Sequence, residues 1–175
     1  MAKLPKVYRE EGAEPSGFWV PDVSLADGKK GLVLGYNDVV IINQMRRTFY
    51  LALRKAEPMA EELWIMGGLR KMGHDLPASI RRKFKEETGL EIPEERFRYV
   101  GRFEFVWKGG YGHPIDDVFY VELSLDELTQ IVLEPNEYKE YNVTYGLQEY
   151  DYQDLIAVKP HQFLLDLYEE IFGEG

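Results

Sequence analysis

The chain has 175 residues and no cysteine. That absence excludes disulfides, thiolate metal sites and thiol nucleophiles together. No apolar run approaches the roughly 18 residues needed to span a membrane. The opening stretch, MAKLPKVYREEGAEPSG, lacks the apolar segment of a secretory signal, so a cytoplasmic location is the expectation. Positive charge is scarce. Lys and Arg number 21 against 31 Asp and Glu, for a formal net charge of −10. Such a surface repels the nucleic-acid backbone, so groove or strand binding is not expected. Small phosphate ligands remain open, because a few local cations, backbone N–H groups or a bound metal hold those. Internal repeats and low-complexity segments are absent from the sequence.

Hydrophobic residues make up 45% of the chain and charged residues 30%, the balance of a globular protein with one real core. Residues 1–31 are rich in Gly, Pro and charge and read as an N-terminal arm. Its aromatic knot, SGFWVP, puts Phe18 and Trp19 either on the domain surface, at a dimer contact or over a ligand. Residues 32–175 form the expected domain. LVLGYNDVVIIN is β-branched and apolar, the pattern of a buried strand, and TFYLALR is a second strand that closes a hairpin with it. LWIM is a short strand that Gly67 and Gly68 are expected to stop. A helix follows, with Asp75 and Pro77 suited to its first turn, Gly89 to its end, and Leu76, Ile80 and Phe84 on one apolar stripe. FRYVGRFEFVW and DVFYVEL are strands separated by the loop KGGYGHPID. Ser124 and Glu127 form a capping box, and a last amphipathic helix runs through PHQFLLDLYEEIF. The order β-β-β-α-β-β-α predicts an α+β fold in which helices cover a mixed sheet.

Chemistry concentrates around the first helix. Glu86 and Glu87 stand near its end, below a Gly-Gly turn, with Lys83 one turn earlier. Side chains three and four apart share a helix face. A carboxylate at position 83 would therefore converge with Glu86 and Glu87, and hard divalent cations take such oxygen ligands while binding phosphates. An ammonium there changes the local charge by two units. At about 4 Å and an effective dielectric near 20, each unit pair is worth about 4 kcal/mol. Lys83 is thus either a solvent-facing partner of Glu87 or a cation that replaces part of a metal's charge on a phosphate. Asp38 lies inside an apolar strand, where an unpaired carboxylate is costly to bury, so a partner is expected and Arg54 across the hairpin is the candidate. Arg54 ends its strand as a surface cation or as a fork of donors on a diphosphate. Trp64 is either core or a base-stacking platform. Asp116 and Asp117 are an acidic strand mouth, or a base or extra ligand.

The segment from Gly68 to Leu90 resembles the Nudix box of the Nudix hydrolase superfamily. Arg82, Phe84, Glu86, Glu87, Gly89 and Leu90 match that pattern at the required spacing. The resemblance implies a Nudix fold, a mixed β-sheet sandwiched between α-helices, over most of residues 32–172. It implies a divalent cation, Mg²⁺ or Mn²⁺, held by the Gly67 carbonyl, Glu86 and Glu87. It also implies a nucleoside diphosphate-type ligand and a homodimer. Two positions depart from the pattern. His74 stands at its first Glu, and Lys83 at the Glu after the arginine, which puts ordinary pyrophosphate cleavage in doubt.

One branch of the superfamily, the GDP-mannose mannosyl hydrolases, also lacks that second Glu and cleaves the sugar–oxygen bond. FYLALRKAEPMAEELWIMGG is similar to its sequence before the box, with Arg54 on the branch's diphosphate-binding arginine, Trp64 on its tryptophan and Asp38 on its aspartate. The branch's catalytic histidine has no counterpart in IDDVFYVEL, where Asp116 and Asp117 stand instead, just after His113. The resemblance implies a metal-dependent hydrolase of a nucleotide sugar. Catalytic roles fall to Glu87, Glu86, Asp116 or Asp117 and Arg54, and substrate contacts to Arg54, Asp38, Trp64, Arg82 and Lys83. The alternative is a Nudix-fold module that binds a nucleotide or nucleotide sugar without chemistry.

Overall fold

The computed structural model describes residues 33–57, 59–71, 73–106, 113–139 and 146–173. The expected N-terminal arm, with Phe18 and Trp19, lies outside the described residues. Strand β1 (Val33–Asn43) runs through the middle of a sheet with β2 (Thr48–Leu53), β3 (Leu63–Trp64), β4 (Met66–Leu69), β5 (Arg98–Glu104), β6 (His113–Glu122) and β7 (Gln148–Tyr150). The main order is β3-β2-β1-β6-β5. Only β1 and β6 pair in parallel among these, so the sheet is mixed. Along one edge β1 changes partner. Its Tyr36–Val39 portion pairs with β4, and its Ile41–Asn43 portion pairs with β2 in the predicted hairpin.

Helices cover both faces. Residues of one parity, Val39, Ile41, Phe119 and Val121, pack against Leu76, Ile80 and Phe84 of α1 (Leu76–Thr88) and against Leu128 of α2 (Leu125–Leu128). The other parity, Val40, Ile42 and Val118, packs against α3 (Tyr152–Val158) and α4 (Gln162–Phe172) through Leu155, Phe163, Leu164 and Leu167. Both arrangements follow from the period of two in a strand and the apolar stripe of a helix. Among the described residues no helix is long and apolar enough to cross a membrane.

The helix signals in the sequence work as expected. The Asp75 carboxylate accepts from the Ala78 amide at 3.1 Å and caps α1, while Gly89 ends it with φ 74°. Ser124 and Glu127 form the capping box of α2. Two expectations are corrected, and one element is added. Gly67 and Gly68 do not stop a strand but lie within β4, paired with Asp38 and Asn37. The strand expected to begin at Asp117 begins at His113, so Asp116 and Asp117 are strand residues and not a mouth. The segment before the last helix is a separate helix, α3, with its own Asp151 cap, because that carboxylate accepts from the Asp154 amide.

Candidate active site

The glycines of β4 are where the candidate site begins. Gly67 has φ 154°, and a Cβ there would lie 2.0 Å from Asp38 Oδ1 and 2.5 Å from the Asn37 carbonyl oxygen. Only glycine lets β4 lie this close to β1. The close approach leaves the Gly67 N–H facing Glu87, whose Oε2 accepts it at 2.9 Å. Glu87 sits in the last turn of α1 and is 1% exposed. The same Oε2 accepts from the Tyr138 hydroxyl. Burial, reinforced by the Glu87 charge, pushes the Tyr138 hydroxyl well above its ordinary pKa, so it remains a donor. Lys83, one turn back on α1, places Nζ 2.7 Å from Glu87 Oε1.

Two further buried carboxyls are Asp38 of β1, which feels the Glu87 charge, and Asp116 of β6. Tyr36 and Asp116 are register partners, as are Asp38 and Val118. Asp38 and Asp116 therefore share one face of the sheet, close enough for each carboxyl to feel the other. Burial raises Asp38 to about 7. The Glu87 charge adds to the rise, whereas hydrogen bonds from Asp116 and Trp64 and the Arg54 charge oppose it. Asp116 is also raised well above the ordinary carboxylate value, first by burial and then by the Asp38 charge. Oδ1 of each has no protein donor. A single proton held between the two satisfies both, as two like charges in contact cannot both ionise at low cost.

The structure separates Asp116 from its neighbour. Asp117 points to the α1 face, where Arg102 grips it through Nε at 3.0 Å and Nη2 at 3.1 Å. Tyr99 donates to it at 3.0 Å, and Arg70 lies 3.5 Å away. That buried, multiply paired carboxylate is a structural anchor. It is also why Tyr99, desolvated and bonded to Asp117, is pushed up to about 12.

Arg54 ends β2 and is 12% exposed. It does not pair with Asp38 as the hairpin suggested. Its Nη2 bonds Glu137 at 2.9 Å, and its guanidinium lies over the Tyr138 ring at 5.9 Å. The bridge between Arg54 and Tyr138 supplies the reason: it brings residues 137–139 to the end of β2, where Glu137 reaches the guanidinium. Trp64 is 5% exposed and packs against Phe105, His161 and Phe163, so it is a core residue rather than an open stacking platform. Its polar atom serves Asp38. Arg82 bonds Glu86 at 2.6 Å and reaches the Leu69 carbonyl at 3.4 Å. His74 is half-buried in the turn before α1, its amide donating to Lys71. His113 lies against Glu104 across β5 and β6 at 2.5 Å.

The expected divalent cation finds a poor set of ligands. Glu86 is 45% exposed and engages Arg82 and, at 3.6 Å, Lys71, whereas Glu87 turns inward to Lys83 and Tyr138. The two carboxylates are thus drawn apart. Among the described residues no three Asp, Glu or His side chains group so as to hold a metal ion. The arrangement does not fit Mg²⁺ or Mn²⁺, which require several converging oxygens.

Tyr138 and Glu137 were not found by sequence reasoning. They lie in an irregular segment with no motif, and only the bridge to Arg54 brings them to the site.

No protein-family model matches the chain, and no curated protein matches it. Solved structures do. A MutT NUDIX hydrolase from Burkholderia pseudomallei superposes with TM-score 0.56 at 18% identity, covering 70% of this chain and 85% of its own. The MutT protein of Methanosarcina mazei Go1 gives TM-score 0.59 at 17% identity, with 78% and 91% covered. A C. elegans Ap4A hydrolase binary complex gives TM-score 0.59 at 16% identity, with 79% and 95% covered. The fold is the Nudix fold. At these identities the likeness is one of architecture.

Proposed function

We propose that the chain is a hydrolase of nucleoside diphosphate-linked compounds, acting on a nucleotide sugar by attack at the sugar carbon. The observation that carries this reading is the Asp38–Asp116 pair. Two carboxyls buried against each other do not stabilise a fold, and a pair that burial raises, Asp38 to about 7, is suited to general acid–base work. In the proposed step a water oxygen bonds to the sugar carbon while the bond from that carbon to the diphosphate oxygen breaks. The bond's electron pair leaves with the nucleoside diphosphate, and the water's proton passes to the ionised carboxyl pair. Arg54 faces the departing negative charge. The Nudix architecture and the resemblance of the stretch around Arg54 and Trp64 to the mannosyl hydrolases support the choice of substrate class. A homodimer in the cytoplasm belongs to the same reading, and sedimentation tests the dimer.

Release of free sugar from a panel of nucleotide sugars is the test. Asp116→Asn is expected to lower turnover by about 10²–10⁴-fold. The rate is expected to rise with pH through about 7 as the pair loses its proton. No turnover above the Asp116→Asn background would end this reading. The Lys83–Glu87 contact favours a second reading, a module that binds the same ligand without chemistry. Calorimetry on a non-hydrolysable nucleotide diphosphate, paired with the turnover assay, separates the two.

A further inference from the structure

We infer that the Lys83 ammonium is a built-in cation that replaces a divalent metal beside Glu87, so that the site between β4 and α1 binds a diphosphate group without metal. The inference concerns the same site as the proposed hydrolysis, but it stands on binding and does not require turnover.

Four observations carry it. Lys83 is only 19% exposed and meets a carboxylate that is nearly inaccessible, so this is not the solvent-facing pair of an ordinary helix surface. The other oxygen of Glu87 is already taken by the Gly67 amide and the Tyr138 hydroxyl, which leaves the ammonium as the cation on that carboxylate. The lysine stem lies against the glycine strand: a Cβ on Gly68 would lie 2.8 Å from Lys83 Cε and 3.5 Å from Nζ. The stem therefore lies across the glycine strand, next to the Gly67 position from which the resemblance draws a metal-ligating carbonyl. Finally, Arg82 and Lys71 hold Glu86 away from Glu87, removing the second carboxylate that a divalent ion would need.

The chemistry of the ligand follows. An ammonium carries three donors, and one carboxylate contact leaves others for phosphate oxygens. Arg54 supplies a second, planar set of donors in the same charge cluster as Asp38 and Tyr138. Donors of these two kinds suit the linked phosphates of a nucleoside diphosphate. A metal bound there would have to displace Lys83 from Glu87.

The experiment uses inorganic pyrophosphate and Mn²⁺ as separate probes on the full chain. Calorimetry is expected to give pyrophosphate affinities within about twofold in EDTA and in Mg²⁺. Titration of Mn²⁺ followed by its electron paramagnetic resonance signal is expected to show no binding to the parent protein at up to millimolar ion. Lys83→Glu is expected to gain Mn²⁺ binding and to make pyrophosphate binding metal-dependent. Lys83→Gln is expected to lose pyrophosphate affinity by at least tenfold, with circular dichroism confirming its fold. Pyrophosphate binding that vanishes in EDTA, stoichiometric Mn²⁺ on the parent protein, or no pyrophosphate binding in either buffer overturns the inference. These parent measurements decide even if a variant fails to fold. Metal-free binding without sugar release would instead sink only the hydrolase.

Discussion

At the scale of single residues, the site is a set of buried carboxyls whose charges are handled in three different ways. Asp117 is neutralised by Arg102, Glu87 is matched by Lys83, and Asp38 and Asp116 keep a proton. The third solution has a measurable consequence for stability. Asp38 is raised, so below pH about 4 it is protonated in both folded and unfolded chains. Between there and about 7 the unfolded chain releases its proton while the folded one retains it, so stability falls as pH rises through that window. Asp38→Asn removes this dependence. It is expected to melt above the parent at pH 8, with the gap closing by pH 4, in thermal melts across that range. A constant gap at all pH values would count against the buried-acid description. Lys83 is the counter-example. Removing one partner of a buried ion pair strands the other charge, typically costing about 3–5 kcal/mol.

At the scale of elements, glycines divide by what surrounds them. Gly89 ends α1 with φ 74°, and a Cβ there meets nothing nearer than Val132 Cβ at 3.9 Å. Gly89→Ala therefore carries only the left-handed backbone penalty, about 1–2 kcal/mol. Gly67→Ala forces a Cβ into Asp38 and the β1 backbone, so it is expected to block folding or to expel β4 from the sheet. Urea denaturation of the first variant and soluble yield of the second check the contrast. Asp75→Ala, which removes the α1 cap, should cost about 1 kcal/mol in the same denaturation assay. The caps, the α1 stripe and the β1–β2 hairpin were all legible in the sequence, because each rests on neighbours a few residues apart. The bounds of β6 were not. HPID reads as loop, yet its backbone is held by β1 on one side and β5 on the other.

At the scale of the whole molecule, a net charge of −10 surrounds a candidate site that carries its own cations. The general field repels an anionic ligand, while Lys83 and Arg54 attract it only nearby. Screening shortens the repulsion more than the contact, since the Debye length falls from about 30 Å at 0.01 M salt to about 8 Å at 0.15 M. Stopped-flow association of a nucleoside diphosphate is therefore expected to quicken with added salt over that range. Slowing would indicate that a positive funnel dominates. The same division between local and global marks what could be read from the chain. The sequence by itself determined the α+β class, the helix with its caps, the mixed sheet and the short list of carboxylates and cations. These depend on periodicity and on turn chemistry, which act over a few residues. Only the tertiary structure decided that Asp116, not Asp117, joins Asp38, that Arg54 turns to Glu137, and that Tyr138 reaches Glu87. Those meetings are fixed by strand register and by bridges between segments far apart in sequence, where a shift of one residue sends a side chain to the opposite face.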